Sequence, residues 1–400
     1  MEKIKLTFSG DIILEPDIIN LYKKEKDSYD FNSMFTEEIK NFLSSSDYVI
    51  GNLETPISSF KEDLKTKPYT FTSPIEFAQA VKYAGFDFVT TANNHCLDNG
   101  IDGIKKTLDS LDTVGLDNTG VSYGEEKLKI ININGIKVAL LSYTYGTNAF
   151  SNHVYLDKNE KKVKVNLFQE QELSNTFVRN LYQGNNIVIK VLRKFFKFLG
   201  AFQLNKMVYE RIESSKRQKE EIIKKINNCK KNGADCIIMC MHEGGQYNEK
   251  PIEKTKKTAK FLIKNGVNLV IGNHEHVVHN VEFVDDHFIT YSLGNFIDTV
   301  GVLKDPFGKM SEYSILVNIY ISKNDNKINY DKFTFTITKT VIDKRPNGNG
   351  VKVELLYDLI KKCNDKEERL KLLKDNQKIV EIVTKKIIDI NNVKKEYELN

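Results

Sequence analysis

Four hundred residues exceed the usual single-domain size and leave room for one large elaborated domain or about two to three smaller ones. Hydrophobic residues at 40%, aromatics at 10% and charged residues at 28% exclude collagen-like, disordered and disulfide-scaffold classes. The 59 Lys and Arg against 54 Asp and Glu give a formal charge of +5, too small a bias over this length to mark a nucleic-acid binder, and no nucleic-acid partner is expected.

The N-terminal run moves directly into alternating apolar residues, with no signal-peptide core and no small-residue cleavage site. No stretch of about 18 apolar residues occurs. Five cysteines, with Cys236 and Cys240 inside an apolar run, read as reduced thiols rather than a disulfide framework. A cytoplasmic location is the resulting expectation, with a position peripheral to the membrane as the alternative.

From Ile4 to about Tyr145, short β-type runs alternate with helix-type segments, the pattern of an α/β layered fold. Strands are predicted at Ile4 to Ser9, Asp47 to Ile50, Asp87 to Thr91, Lys127 to Ile133 and Ile136 to Tyr143. Helices are predicted around Pro74 to Ala84 and Gly103 to Leu111. Between 151 and 232 the alternation lapses into a Lys/Arg-rich segment, read as a helical, basic insertion. The pattern resumes with a buried strand from Asp235 ending at His242, a helix from Ile252 to Lys264, and a strand from Val267 to Ile271. Further strands around Val281 to Val284, His287 to Ser292, Tyr313 to Ile321 and Tyr330 to Ile337 continue a sheet of more antiparallel character. Residues 1–345 are expected to form the main domain, and the charged residues 346–400 a helical C-terminal extension.

Several strands end in polar residues, and in open α/β sheets the crevice beyond the strand carboxyl ends is where ligands bind. Asp11, Glu54, Asn94, His95, His242, His274 and His276 all fall at such ends. Imidazoles, carboxylates and an amide oxygen suit zinc, manganese or iron. His274 and His276, spaced i, i+2, can face one cavity. Asp11 or Glu54 can bridge two cations, and Glu54 equally suits an outer carboxylate that orients a ligand.

Six pieces in chain order carry a resemblance: Gly10-Asp11, Gly51-Asn52-Leu53-Glu54-Thr55-Pro56, Asn93-Asn94-His95 through Asp98-Asn99-Gly100, His242-Glu243-Gly244-Gly245-Gln246-Tyr247, Gly272-Asn273-His274-Glu275-His276 and Ser292-Leu293-Gly294-Asn295-Phe296. The chain resembles the bacterial capsule-synthesis CapA family of poly-γ-glutamate biosynthesis, whose domain is similar to the calcineurin-like metallophosphoesterases. The resemblance implies a four-layer α/β/β/α sandwich and one or two divalent ions, Mn, Fe or Zn. The metal set it implies is Asp11, Asn94, His95, His242, His274 and His276, with Glu54. His95, His242 and Asn94 are the expected catalytic residues. Asn52, Glu243, Tyr247 and Asn295 are the expected substrate contacts, although Asn295 equally suits closure of a turn.

Two departures stand out. Phosphoesterases of this kind open with Asp-x-His where this chain reads Asp11-Ile12-Ile13, and the glutamine usual after the His-x-His pair is here His279. The expected activity is metal-dependent hydrolysis of a phosphoester or an anionic polymer. The alternative is a non-catalytic, polymer-binding accessory factor of envelope-polymer synthesis or export.

Other features read structurally. His153, His279 and His287 suit hydrogen-bonded positions, Cys96 an inert buried thiol, and Asp98 with Gly100 a helix cap. Gly120-Val121-Ser122-Tyr123-Gly124 has the nucleophile-elbow spacing but is expected to lack its strand and helix. Residues 187–199 form a basic amphipathic pattern, suited to a lid over the domain, to a membrane surface or to a polymer-synthesis complex.

Overall fold

A computed structural model describes residues 2–25, 28–58, 70–152, 154–156, 162–171, 187–188, 190–191, 214–299, 301, 303, 308–325 and 327–399. Its strands in chain order are β1 (Glu2–Ile12), β2 (Lys23–Glu25), β3 (Ser28–Tyr29), β4 (Tyr48–Leu53), β5 (Phe88–Thr90), β6 (Asp117–Thr119), β7 (Val121–Tyr123), β8 (Ile130–Ile133), β9 (Ile136–Thr144) and β10 (Val163–Val165). After these come β11 (Cys236–His242), β12 (Leu269–Asn273), β13 (Val281–Val284), β14 (His287–Thr290), β15 (Asn295–Ile297), β16 (Tyr313–Asn324), β17 (Lys327–Arg345), β18 (Gly348–Leu355) and β19 (Tyr397–Leu399).

Two sheets carry the fold. One runs β18-β17-β16-β1-β4-β5-β6, with β15 beside β1 and β19 beside β17; the other runs β13-β14-β12-β11-β9-β8. The β1-β4-β5-β6 half of the first sheet is parallel and its β16-β17-β18 half antiparallel. The centre of the second sheet, β9-β11-β12-β14, is parallel, with antiparallel edges.

Alternation along each strand decides what lies on either face. On β11, Cys236, Ile238 and Cys240 join Ile4, Leu6 and Phe8 of β1 in one apolar cluster that unites the two sheets. The intervening Ile237, Met239 and Met241 pack instead with Ile222, Ile226 and Cys229 of the helix Lys216–Lys231 and with Ala259 and Leu262 of the helix Glu253–Lys264. On the first sheet, Ile12, Val49 and Leu53 pack with Ile39 and Phe42 of the helix Glu37–Leu43 and Phe77 and Val81 of the helix Ile75–Ala84. Burial of apolar area on this scale, roughly 25 cal/mol per Å² removed from water, is what fixes the two sheets and their helices together.

Several expectations are refined. The helix Lys216–Lys231, inside the 151–232 segment, opens on a Ser215/Gln218 capping box and buries Ile222, Ile226 and Cys229, one face at i, i+4, i+7. The same segment contributes β10, which pairs with β7. Of 187–199, residue 189 and residues 192–199 lie outside the described residues, as does His153; Ile187, Val188 and Val191 are exposed.

Past residue 345 the chain is not helical throughout. β18 and β19 pair with β17, and between them the helices Leu356–Lys362 and Lys366–Thr384 bury Leu356, Ile360, Leu372 and Ile379 in the cluster that unites the sheets. Val-Lys-Val-Glu-Leu at 351–355 alternates with period two, and that pattern prevails over its Lys/Glu content.

The Gly120–Gly124 motif is also corrected. A strand, β6, does precede it, but Val121–Tyr123 is itself β7, paired with β10, and no helix follows before β8, so no elbow forms. The described helices include none long and apolar enough to cross a membrane.

Candidate metal centre

The polar strand ends of both sheets converge. Asp11 comes from β1, Asn52 from β4 with Glu54 just beyond it, Asn94 and His95 from the turn after β5, His242 from the end of β11, and His274 and His276 from the loop after β12. All seven expected metal-set residues are buried.

Local backbone geometry aims them. The β1 register with β4 shifts between Phe8 and Asp11, and its register with β15 shifts after Asp11, so Asp11 sits at a bulge, a device that re-aims a side chain. His274 and His276 have φ of 100° and 60°, left-handed values rare for residues with a Cβ and costing on the order of 1–3 kcal/mol each. That turn points the His274 N–H at Asp11 Oδ2, 3.3 Å away. Strain stored at several adjacent positions is typical of functional sites.

Two donor groups emerge. Glu54, His274 and His276 offer ligand atoms within 4.8 Å of one another, and so do Asp11, Glu54 and His242. Glu54 belongs to both. His242 Nε2 lies 3.4 Å from Glu54 Oε1 and 2.7 Å from Asn94 Oδ1. Asn52 Nδ2 lies 3.2 Å from His242 Nδ1 on the other side of the ring. The same Nδ2 donates to Asp11 Oδ1 at 2.7 Å, while Thr90 Oγ1 donates to Asn52 Oδ1 at 3.0 Å.

His95 belongs to neither donor group. Its Nδ1 is 2.6 Å from Asp98 Oδ2, its Nε2 is 4.0 Å from Glu54 Oε1, and Phe71 stacks on the ring at 4.0 Å between centroids. Asp98 also accepts from the Phe71 N–H and from Asn152 Nδ2. This corrects the helix-cap expectation: the N-cap of the helix Gly100–Val114 is Asn99, no side chain caps it, and Asp98 orients a histidine instead.

Among the expected substrate contacts, Asn52 and Asn295 brace residues of the donor groups: Asn295 Oδ1 lies 2.9 Å from His276 Nδ1. Glu243 is held by Lys254 Nζ at 2.7 Å in a buried ion pair, and that ammonium also donates to Gln169 Oε1 at 2.7 Å. Tyr247, with φ of 62°, lays its ring 5.5 Å from that of His276. Asp298, Lys254 and Gln169 carry no sequence cue, because each acts through a partner that only folding brings close, and the cue that Asp98 carries reads as a cap.

The electrostatics follow from burial and close charges. Burial, then the neighbouring Asp11 carboxylate, pushes Glu54 well above the carboxylate range. Burial opposes ionisation of Asp11 too, but His276, His242 and Asn52 outweigh it and hold Asp11 low. Burial keeps His242 neutral, its pKa lowered to about 3 against the pull of Asp11. For His276 burial again opposes charge, yet Glu54, Asp11 and Asp298 raise it to about 9. Asp298 is pushed up to about 7 by burial and Glu15. Cys96 is buried and its thiol pushed up, in keeping with an inert role.

His279 yields a pH prediction. Burial lowers it to about 4, against the bond its Nε2 donates to the Asn248 carbonyl at 2.7 Å, and its Nδ1 is buried with no partner among the described residues. The unfolded chain takes up this proton near pH 6.5, so the stability attached to a neutral His279 is complete above that pH and is lost as pH falls toward 4. Urea melts at pH 7 and pH 4.5 should show a loss smaller by about 2–3 kcal/mol in His279→Gln than in wild type. Equal losses in the two proteins would remove His279 from the account.

The chain matches the family described as "Bacterial capsule synthesis protein PGA_cap" over residues 5–300. It is 24% identical over 395 residues to "Capsule biosynthesis protein CapA" of Bacillus anthracis, covering 96% of this chain and 81% of that protein. It is 23% identical over 326 residues to "PGA biosynthesis protein CapA" of Bacillus subtilis (strain 168), covering 80% of this chain and 68% of that one. Among solved structures, the calcineurin-like phosphoesterase YfkN from Bacillus subtilis aligns over 95% of this chain and 98% of its own, at 12% identity and a TM-score of 0.40.

Proposed function

The chain belongs to the bacterial capsule synthesis protein family, and from that premise we propose that it is a metal-dependent hydrolase acting on a phosphoester or an anionic polymer. The observation that carries this reading is the pair of donor groups joined at Glu54. The donor chemistry fits. Both Glu54 oxygens are buried and accept no hydrogen bond from the described residues, an arrangement that costs free energy unless a cation takes them up. Asp11, Glu54, His242, His274 and His276, with Asn94 at His242, would hold one or two divalent ions of the Mn, Fe or Zn type. Such ions supply an activated water and neutralise charge on the electrophile under attack.

The chain's own residues do the rest. Asn52 holds both Asp11 and His242, so one amide sets the relative position of a donor from each sheet. Asp98 and the stacked Phe71 fix the His95 ring, whose Nε2 faces the Glu54 side of the site. A histidine so held can deliver a proton to a leaving group from Nε2 while Asp98 supports Nδ1–H. The substrate belongs to one of two classes, a phosphoester or an anionic polymer such as poly-γ-glutamate.

Chelator-treated protein reloaded with Mn²⁺ or Zn²⁺ is expected to turn over a member of one class, and His274→Ala to lower that rate by roughly two orders of magnitude or more. No turnover of either class by reloaded wild type would sink the hydrolase reading. It would favour the accessory, polymer-binding alternative, which one observation supports: Ile13, where Asp-x-His enzymes carry a ligand, is a buried apolar side chain.

A further inference from the structure

His276 is a donor in one of the two groups, and a neutral imidazole offers a lone pair at only one of its nitrogens. Which nitrogen that is depends on what lies behind the ring. Nδ1 is 2.9 Å from Asn295 Oδ1, and Asn295 turns its Nδ2 toward Asp298 Oδ2 at 2.8 Å and the Ser311 carbonyl at 3.4 Å. An amide has one accepting and one donating end. Flipping Asn295 would bring its oxygen against two other oxygens and its NH₂ against His276, so its orientation is set by Asp298.

The consequence passes along the chain of bonds. An amide oxygen facing His276 calls for an N–H, so Nδ1 keeps its hydrogen and Nε2 is the nitrogen whose proton a cation would displace. Asp11 Oδ2, 3.4 Å from the same Nδ1, favours the same arrangement. Asp298 is itself held: it is buried, and its other oxygen accepts from the Thr299 N–H at 2.7 Å. Both of its oxygens therefore receive N–H donors, a demand that a carboxylate meets and an amide cannot.

We infer that Asp298 is a positioning residue of the metal centre, acting through Asn295 to fix which nitrogen His276 presents to a cation. This rests on the reading that His276 is a metal donor. Partners behind a ligating histidine typically change metal affinity by about 10–100-fold when removed.

The test is calorimetric titration of Mn²⁺ or Zn²⁺ into chelator-treated full-length protein. Asp298→Asn should bind at least one cation about 10–100-fold more weakly than wild type. The exchanged pair Asn295→Asp/Asp298→Asn should recover most of the lost affinity, because the carboxylate now at 295 accepts from both His276 and the amide at 298 and gives up only the long 3.4 Å bond to the Ser311 carbonyl. A merely structural Asp298 would show no such recovery. Wild-type affinity in Asp298→Asn, or an exchanged pair as weak as the single variant, overturns the inference. If the single variant does not fold, the exchanged pair alone decides: wild-type affinity supports the relay and weak binding rejects it. Wild type that takes up no cation would instead bring down the metal reading itself, and this inference with it.

Discussion

Stripped of metal, Glu54→Gln protein is expected to melt no lower than wild type, and to gain nothing when cations are added. In the metal-free fold Glu54 is a cost: it is buried, its oxygens accept no hydrogen bond among the described residues, and Asp11 opposes its ionisation. An uncharged side chain of the same shape relieves that cost. Wild type should bind one or two equivalents and be stabilised by about 2.7 kcal/mol per site at a free cation concentration 100 times Kd. Because both donor groups include Glu54, the variant should lose all of the bound metal rather than part of it, which distinguishes a shared ligand from two separate sites. Elemental analysis and scanning calorimetry with and without cation provide the readout. A variant that keeps wild-type stoichiometry and wild-type metal-induced stabilisation would show that the two groups do not meet at this carboxylate.

The second large effect concerns the backbone behind Asp11. A Cβ at Gly10 would stand 1.9 Å from the Gly294 carbonyl oxygen and 2.8 Å from Ser314 Oγ. The obstacle is main chain of the segment leading into β15, so no rotamer change relieves it. Gly10→Ala should cost more than about 4 kcal/mol or abolish soluble expression. Gly115, which closes the helix Gly100–Val114, is the control. Its φ is 71° but nothing lies within 4 Å of a Cβ there, so Gly115→Ala should cost only about 1 kcal/mol. Chemical denaturation of the two variants separates close approach from backbone conformation; similar losses would mean that the strands part to admit a methyl group.

Much of the site was legible because strand ends announce themselves. An apolar run such as Cys-Ile-Ile-Met-Cys-Met followed by His242, or Leu-Val-Ile-Gly-Asn followed by His-Glu-His, marks both the strand and the place where polar side chains gather. The parts that escaped depend on three-dimensional neighbours. Asp98 lies three residues from His95, a spacing that reads equally well as a cap, and only the turn after β5 makes the two a pair. Asn295 and Asp298 lie on one strand and just past its end, yet their role depends on a histidine about 20 residues earlier. The left-handed φ of His274 and His276 has only a weak signature in residue identity, since histidine is merely enriched at such positions. In the fold, the C-terminal strands were obscured by Lys and Glu: β18 alternates, but charge on its outward residues resembles a helix surface.

The order in which β1 finds its neighbours bears on how the protein is made. β4 follows within the first 53 residues and covers one side of β1, but the other side pairs with β16, Phe8 against Val317. At ribosomal rates of roughly 5–20 residues per second, that side waits about 15–60 s for its partner. Throughout that interval the strand carrying Asp11 has an open row of amides and carbonyls next to Leu6 and Phe8, the kind of edge that pairs with other chains. The strand at the middle of the finished sheet is therefore made about 300 residues before one of its two partners, and its open side is an edge on which the nascent chain can pair wrongly until β16 arrives.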